Sequence, residues 1–459
     1  MSQRSILRSA WQFSLGRKAI AKFAPEAWLI KFTQRAHFEW FRRNQNARTG
    51  LVKDRDKPNS PASIAATGFA LAVYPIAADN GWITHEEAMQ YTAKTLRALS
   101  VAPQGSEREG VSGNWGMFYH FLDPDTATRA VSPKFWDSEL STIDTALLMA
   151  GVLFAGSYFT ADNTEERGIR HMAESLYARV EWDRFVNDKQ LILHAWTPEL
   201  GMWEPVYRGY SEALLLYILA LGSPTHAAPA AVWDAFIGDA KTETHYGQTF
   251  IRMPGMPLFC YQYPQAFIDF RGITDGVNRR LGFDYHECAR RAALAQHGYA
   301  VDNPLRMRDY SALDWGLTAS DGPGGGEKVV EGRVIDFRWY SEHGGPEGFD
   351  DGTIAPTAAL ASMPYVPERS IATLRHWLSE RPELFSLDLG FVDAFNPTFD
   401  KAKKHGWIDS DRIGIDQGPI VLMMENHMGG GVWSVMRRNA HIRRGLKAAG
   451  FTGGWLSHD

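Results

Sequence analysis

IDTALLMAGVLFAG, residues 143–156, is a helix-length segment that is apolar on almost every side. EALLLYILALG (212–222) and PIVLMM (419–424) share this composition, whereas DNTEERGIRHMAESLYARV (162–180) carries many charges. Helices that are apolar all round lie inside a protein, and charged helices face solvent. The sequence therefore predicts an inner set and an outer set of helices.

From about residue 60 onward the apolar residues recur with a helical period, which predicts helices that alternate between the two sets. Six inner–outer hairpins are predicted: 62–78 with 85–99, 142–159 with 163–180, 211–221 with 230–240, 256–270 with 285–298, 356–362 with 368–379, and 419–426 with 432–447. This pattern predicts an all-α fold, an (α/α)6 barrel, that occupies residues 61–459 after an N-terminal helical arm at 1–60. Segments 101–137 and 322–352 are predicted to be long loops that carry minor β structure.

Composition narrows the possible partners. The 459 residues carry a net charge of -5 without a long Lys/Arg block, so we expect no nucleic-acid partner. Aromatic residues make up 12% of the chain, and their faces suit sugar rings as well as they suit a core. No apolar run approaches the roughly 20 residues of a membrane span, and charges interrupt the N-terminal apolar runs. We therefore expect no membrane partner and a cytoplasmic protein, with the periplasm as the alternative.

Acidic residues cluster where the apolar helices begin. Glu139 and Asp144 lie at the start of the second inner helix, although Ser141 with Asp144 also resembles a capping box. Glu212 lies where a Gly-, Tyr- and Arg-containing loop enters a wholly apolar helix. Such a helix should desolvate the carboxyl group and raise its pKa, as a general acid requires, whereas a solvated Glu would only complement the helix dipole.

The later acids precede the last two inner helices. Asp393 and Asp416 are predicted to lie in the loops before the last inner helix, whose first turn Pro419 should mark. Asp350 and Asp351 take the same place before the fifth inner helix. Acids before glycine are often only turn formers, but several at the same end of inner helices would line one mouth of the barrel.

The sequence shows no transition-metal ligand spacing and no phosphate-binding loop, so we expect no metal and no cofactor. WGLTASDGPGGG (315–326) is interpreted as a flexible loop near the cleft. Loop aromatics next to the acidic motifs are expected to form sugar-stacking subsites: Trp115, Trp203, Tyr210 and Trp315.

Seven motifs together resemble a known family. In chain order they are FWDSELSTIDTALLMAG (135–151), YSEALLLYILALGSPTH (210–226), FIDFRG (267–272), WGLTASDGPGG (315–325), DDGTIAPTAALASMPY (350–365), GFVDAFNP (390–397) and IDQGPIVLMMEN (415–426). They resemble the glycoamylase-like domain, which includes glycoside hydrolase family 144 β-1,2-glucanases and the cyclising domain of cyclic β-1,2-glucan synthases. The resemblance covers roughly residues 60–451 and implies an (α/α)6 barrel that hydrolyses β-1,2-glucan, usually with inversion and without a metal.

The resemblance also implies roles for individual residues. The family's proton donor falls on Glu212, and its further acids fall on Glu139, Asp144, Asp393 and Asp416. Polar residues in or beside the same motifs are expected to bind substrate: Arg208, Asp351, Asn396 and Gln417. The segments at 250–272 and 423–433 depart from the family pattern and leave the endo or exo mode open.

We interpret the sequence as that of a glycoside hydrolase that cleaves β-1,2-glucan or sophoro-oligosaccharides by general acid/base catalysis, with inversion. A retaining transglycosylase or cyclase, in which a carboxylate is the nucleophile, is one alternative. A non-catalytic glucan-binding module is another, and would tolerate loss of the acids. An epimerase or lyase on the same barrel would instead need His or Tyr bases in the cleft.

Overall fold

The computed structural model describes residues 14–400 and 402–457 of the chain. The described residues form sixteen α-helices: α1 Ser14–Phe23, α2 Glu26–Asn44, α3 Ile64–Asp79, α4 His85–Val101, α5 Thr142–Tyr158, α6 Thr164–Ala178, α7 Ala213–Gly222, α8 Ala231–Ile237, α9 Phe259–Phe267, α10 Gly276–Leu281, α11 Tyr285–Asp302, α12 Pro356–Leu360, α13 Pro367–Glu380, α14 Gly414–Gly429, α15 Gly431–Met436 and α16 Ala440–Ala448. Short 3-10 helices lie at Trp182–Phe185, Pro382–Leu384 and Gly454–Ser457.

The β structure consists of short antiparallel pairs and one three-stranded sheet, β5-β6-β7. The strands are β1 Ala62–Ser63, β2 Gly113–Asn114, β3 Met117–Phe118, β4 Phe121–Leu122, β5 Leu140–Ser141, β6 Ala195–Thr197, β7 Gly201–Met202, β8 Thr242–His245, β9 Gln248–Ile251, β10 Ala319–Asp321, β11 Gly326–Val330, β12 Arg333–Phe337, β13 Tyr340–Glu342, β14 Phe385–Ser386, β15 Gly390–Phe391, β16 Phe395–Asn396 and β17 Trp407–Ile408. The two segments predicted to be long loops with some strand do carry it, as β2 to β4 and as β11 to β13.

The chain forms two compact units. Unit 1 contains the described parts of Met1–Trp40, Thr242–Gln262 and Ala289–Met428, and unit 2 those of Phe41–Lys241, Tyr263–Cys288 and Gly429–Asp459. The proposed division between an arm at 1–60 and a barrel at 61–459 stays a prediction.

The core of unit 2 contains the predicted inner helices. Every residue of α3 from Ile64 to Ala77 is buried, and α7 is buried along its whole length. The helices α3 and α5 touch through their backbones, because a Cβ on Gly68 would lie 2.4 Å from the Leu147 carbonyl oxygen. The partner helices α4 and α6 bury only one stripe each, which confirms the predicted contrast between inner and outer helices.

Two predicted helix boundaries in the last hairpin are wrong. The inner helix α14 begins at Gly414, so Pro419 lies inside it and Asp416 lies in its first turn, not in the preceding loop. Proline near a helix start removes only one hydrogen bond, which allows the turn before it to remain helical. The outer helix predicted at 432–447 is divided into α15 and α16, because Asn439 caps a new helix by accepting hydrogen bonds from the His441 and Ile442 amides.

In the described part of the chain, no helix combines the length and the apolar character needed to cross a membrane. The cellular compartment stays a prediction. Both cysteines, Cys260 and Cys288, are buried and form no disulfide.

Candidate active site

Glu212 lies at the N-terminal end of the most apolar helix of unit 2. It is the residue before α7 and its side chain is half-buried. All ten residues of α7 behind it are buried, from Ala213 to Gly222. The structure therefore places Glu212 at the start of a wholly buried apolar helix, and its role as proton donor stays a prediction.

Glu139 and Asp144 lie on either side of one histidine. The Nδ1 atom of His120 is 2.8 Å from the Glu139 carboxylate, and its Nε2 atom is 3.5 Å from Asp144. The short strand β5 holds both acids in place, since Glu139 precedes it and its last residue, Ser141, caps α5. The Ser141 hydroxyl accepts a bond from the Asp144 amide and donates one to the Asp144 carboxylate at 2.5 Å, so the predicted capping residue also orients an acid.

Charges decide the protonation of this triad. Burial alone would lower the pKa of His120, but the negative charges of Asp144 and Glu139 and the hydrogen bond to Glu139 raise it to about 9. Burial would raise the pKa of Glu139, but its hydrogen bond to His120 and the imidazolium charge hold that pKa below its ordinary value. Glu139 is thus an ionised carboxylate at neutral pH and is unsuited to donate a proton.

In unit 1, a group of aspartates forms around Asp393. The Asp393 amide donates a hydrogen bond to the Asp411 carbonyl at 2.9 Å, and the Asp409 amide donates one to the Ala394 carbonyl at 3.0 Å. This strand-like pairing places carboxylate oxygens of Asp393 and Asp409 close together, with one of Asp321 beside them. We call Asp321, Asp393, Asp409 and Asp416 the acidic centre.

Asp393 and Asp416 act as a pair. Burial raises the pKa of Asp393 well above its ordinary value, and the charge of Asp416 and a hydrogen bond to it raise it further. One carboxyl group of the pair therefore holds a proton that an isolated aspartate would lose. Carboxyl groups within hydrogen-bonding distance are closer than the about 5 to 9.5 Å that separates the two catalytic acids of glycosidases. The pair can fill one catalytic role, not both.

The predicted substrate-binding residues Asp351 and Asn396 are both buried and bind each other. Asn396 donates through Nδ2 to the Asp351 carbonyl at 3.0 Å and to the Thr353 hydroxyl at 3.0 Å. Its Oδ1 atom accepts from the Thr398 and Phe399 amides, both at 2.9 Å. Asn396 is thereby committed to holding the loop, and a positioning role suits it better than substrate contact.

The neighbouring acid, Asp350, is half-buried. Asp350 accepts hydrogen bonds from the hydroxyl groups of Tyr299 at 2.9 Å and Tyr310 at 2.7 Å. Burial raises the pKa of Asp350 despite these bonds.

Gln417 is buried and connects α14 to the N-terminal helix α2. Its Oε1 atom is 2.5 Å from Nδ1 of His37, and its Nε2 atom donates to the Phe391 carbonyl at 3.0 Å. Burial lowers the pKa of His37 to about 3, so the neutral imidazole donates this hydrogen bond. The predicted substrate contact at Gln417 is thus replaced by an internal one, because both ends of the amide are already bound.

The predicted stacking aromatics divide into half-buried and buried residues. Trp115 is half-buried and stands edge-on to Trp196, with the ring centroids 5.1 Å apart. Trp203 is also half-buried. Tyr210 is buried and packs against Tyr285.

The other two predicted substrate contacts, Trp315 and Arg208, have protein partners in the structure. Trp315 is only 1% exposed and donates from Nε1 to Thr373, so it belongs to the core of unit 1 rather than to a sugar subsite. Arg208 is exposed and pairs with Asp239 at 3.1 Å.

Three residues near the acids were not singled out from the sequence. His120 belongs to no recognisable sequence motif, yet its hydrogen bond and charge lower the pKa of Glu139. Trp339 and Tyr340 lie in the long loop 322–352, and both are exposed. Only the length of that loop, which favours a functional role, could have drawn attention to them.

Two groups of described side chains have ligand atoms within 4.8 Å of one another: Glu243, His245 and Glu347, and Asp321, Asp393 and Asp409. Their members come from segments far apart in the chain, so sequence spacing could not show them. The expectation that activity needs no metal stays a prediction.

Comparison with known proteins places the chain among carbohydrate-active relatives. A family model described as "Putative glucoamylase" matches residues 206–440. A solved structure from Bacteroides uniformis, described as a "putative glucoamylase", is 29% identical with a TM-score of 0.82, covering 95% of this chain and 100% of that one. The endo-β-1,2-glucanase from Chitinophaga pinensis, solved with sophorotriose and glucose, is 26% identical with a TM-score of 0.80, covering 94% of this chain and 99% of that one.

A curated relative from Parabacteroides distasonis, an exo β-1,2-glucooligosaccharide sophorohydrolase acting at the non-reducing end, is 26% identical over 452 residues. The alignment covers 91% of this chain, which spans 57% of the length of that relative. The structural likenesses confirm the predicted all-α fold class with minor strands and are consistent with the (α/α)6 arrangement.

Proposed function

Because this chain belongs to the family described as "Putative glucoamylase", we propose that it is a glycoside hydrolase that cleaves β-1,2-glucan or sophoro-oligosaccharides. Two relatives that resemble it over more than nine tenths of its length act on this linkage by their names, one as an endo-glucanase and one as an exo-acting sophorohydrolase. The proposal therefore names the linkage and leaves the endo or exo mode to experiment.

The observation that carries the proposal is that unit 2 holds two acids in different surroundings, Glu212 at the start of the apolar helix α7 and Glu139 beside His120. Cleavage of a glycosidic bond needs one carboxyl group that still holds its proton near neutral pH and one that is ionised. Glu212 suits the first condition because it is half-buried at the start of a wholly buried apolar helix. Glu139 meets the second because His120 lowers its pKa.

We assign the proton donor to Glu212 and the activation of water to an ionised carboxylate. Glu212 is supported by its half-buried place against the apolar helix α7. The lowered pKa of Glu139 argues against a donor role and favours Glu139 as a base or as a negative charge that stabilises the transition state. The catalytic roles expected of Asp393 and Asp416 in unit 1 stay predictions.

The test is incubation of the full chain with a panel of linkage-defined glucans, followed by product analysis and stereochemistry by NMR. We expect cleavage of β-1,2-glucan with inversion and without transfer to other sugars. Products with retained configuration or cyclic products would instead indicate a transglycosylase. Binding without any products would indicate a non-catalytic module.

The role of Glu212 is tested by Glu212→Gln, which keeps the shape of the side chain but cannot donate the proton. We expect kcat to fall by about 10²- to 10⁴-fold, the usual contribution of general acid catalysis. Glu204→Gln is the matched control, since Glu204 is an exposed acid of the loop that leads to the same helix. Retention of more than about a tenth of the turnover in Glu212→Gln would place the proton donor elsewhere.

A further inference from the structure

Trp339 presents an aromatic ring to solvent in a fixed position. The side chain is 76% exposed, although it follows β12 and directly precedes β13. Backbone hydrogen bonds hold the chain on both sides of it, from the Gly322 amide to the Trp339 carbonyl at 2.8 Å and from the Gly324 amide to the Arg338 carbonyl at 3.0 Å. The segment that carries the ring is thereby tied to the loop after β10.

One face of the Trp339 ring rests on Gly324. A Cβ added to Gly324 would lie 2.3, 2.4 and 2.5 Å from three neighbouring atoms of the six-membered ring, Cδ2, Cε3 and Cε2. Nearly equal distances to three bonded ring atoms mean that the glycine faces the plane of the ring and not its edge. Gly324 has a φ of +69°, which favours glycine, so this position combines a turn with a close approach. The opposite face of the ring remains open.

The Trp339 ring lies next to the acidic centre. The strand β13 pairs with β10 so that Tyr340, the residue after Trp339, stands opposite Asp321. The Asp321 amide donates a hydrogen bond to the Asp393 carboxylate at 2.8 Å. Tyr340 is exposed, and its hydroxyl group, protonated at neutral pH as in any tyrosine, can donate a hydrogen bond.

We propose that the open face of Trp339 stacks on a glucosyl unit of the substrate and forms a sugar subsite beside the acidic centre. The hydroxyl groups of a β-glucosyl ring point outward along its rim and leave flat C–H faces, which suit an aromatic plane, while the rim groups can bond Tyr340 and the carboxylates. The inference rests on the proposed function and adds the residue that selects and orients the sugar.

The test compares variants of the full chain in binding and in hydrolysis of β-1,2-linked oligosaccharides. Trp339→Ala should raise KM about 3- to 10-fold, the range expected for one aromatic stacking contact, with a smaller change in kcat. Trp339→Phe keeps an aromatic plane and should restore most of the loss. Gly324→Ala keeps the tryptophan but displaces its ring, because the new methyl group would overlap the ring plane, and should reproduce part of the effect of Trp339→Ala.

Trp28→Ala is the matched control, since Trp28 is a partly exposed tryptophan of unit 1 that stacks on Phe32 in α2. If wild type cleaves β-1,2-glucan and Trp339→Ala has the same KM as Trp28→Ala, the subsite is refuted and the proposed function stands. If wild type instead binds oligosaccharides of another linkage and Trp339→Ala weakens that binding, the subsite stands and the proposed linkage is wrong. Failure of wild type to bind any glucan would refute both.

Discussion

Replacing His120 should make stability less dependent on pH, because two acids raise its pKa in the folded protein above the value it has in the unfolded chain. Its pKa rises from an ordinary value of 6.5 to about 9. At about 1.4 kcal/mol per tenfold change in acidity, this difference corresponds to about 3 kcal/mol in favour of the charged folded form. Since 27% of the side chain is exposed, solvent screens part of the attraction, and we expect about 2 kcal/mol.

The sign follows from the raised pKa. A group whose pKa is higher in the folded protein contributes its full stabilisation below pH 6.5 and loses it as the pH rises through about 9. Urea unfolding of wild type and His120→Gln at pH 6 and pH 10 isolates the contribution, because other titrating groups are common to both proteins. The variant should be less stable by about 2 kcal/mol at pH 6, and much of that gap should close at pH 10. A gap of equal size at both pH values would refute the assigned charges of the His120 triad.

Three further predictions concern the acids, the metal and the aromatics. Asp393→Asn removes the titration of Asp393. The melting temperature of wild type should therefore fall relative to that of the variant as the pH rises through the raised pKa of Asp393. Parallel melting curves from pH 4 to pH 9 would contradict the assignment. Glucan cleavage should survive excess chelator, and loss of activity that added Ca²⁺ or Zn²⁺ restores would show a metal requirement. Trp315→Ala should lower the free energy of unfolding by about 3–5 kcal/mol and leave the product pattern unchanged, because Trp315 lies in the core. Trp115→Ala should instead raise KM with little change in melting temperature. The opposite pattern would exchange the roles of the two residues.

The sequence predicts the helices well because burial leaves a strong periodic pattern in the chain. The wholly apolar segments around α3, α5 and α7 are the buried helices of unit 2. The boundaries of the last hairpin were predicted less well, since the turn before Pro419 and the cap at Asn439 depend on local hydrogen bonds that an apolar pattern does not record.

The acids were found from their places at helix starts, but their charge states were not. Glu139 is held ionised by His120, which lies 19 residues earlier in the chain. The pKa of Asp393 is raised by burial and by the charge of Asp416 beside it. Sequence reasoning treats each acid separately, whereas a pKa depends on neighbours that the fold brings together.

Burial explains why several predicted substrate contacts are internal contacts instead. Gln417 and Asn396 each use both ends of their amide groups inside unit 1, and the sequence alone does not reveal which polar groups are already bound. Trp339, in contrast, was overlooked because nothing local distinguishes an exposed tryptophan from a buried one. Only the fold shows that one face of its ring rests on Gly324 while most of the side chain stays exposed.

The contact between Gly68 and Gly151 has a consequence for protein engineering. A Cβ on Gly151 would lie 1.9 Å from the Gly68 carbonyl oxygen, so even alanine would force α3 and α5 apart. Asp144 lies two turns before Gly151 on the same helix, and its carboxylate moves with that helix. Because a displacement of about 1 Å at a catalytic group can cost about a hundredfold in rate, a mutant library that varies positions 68 or 151 would lose activity without touching any sugar contact. Libraries aimed at new substrates are better confined to the loops, with this glycine pair left unchanged.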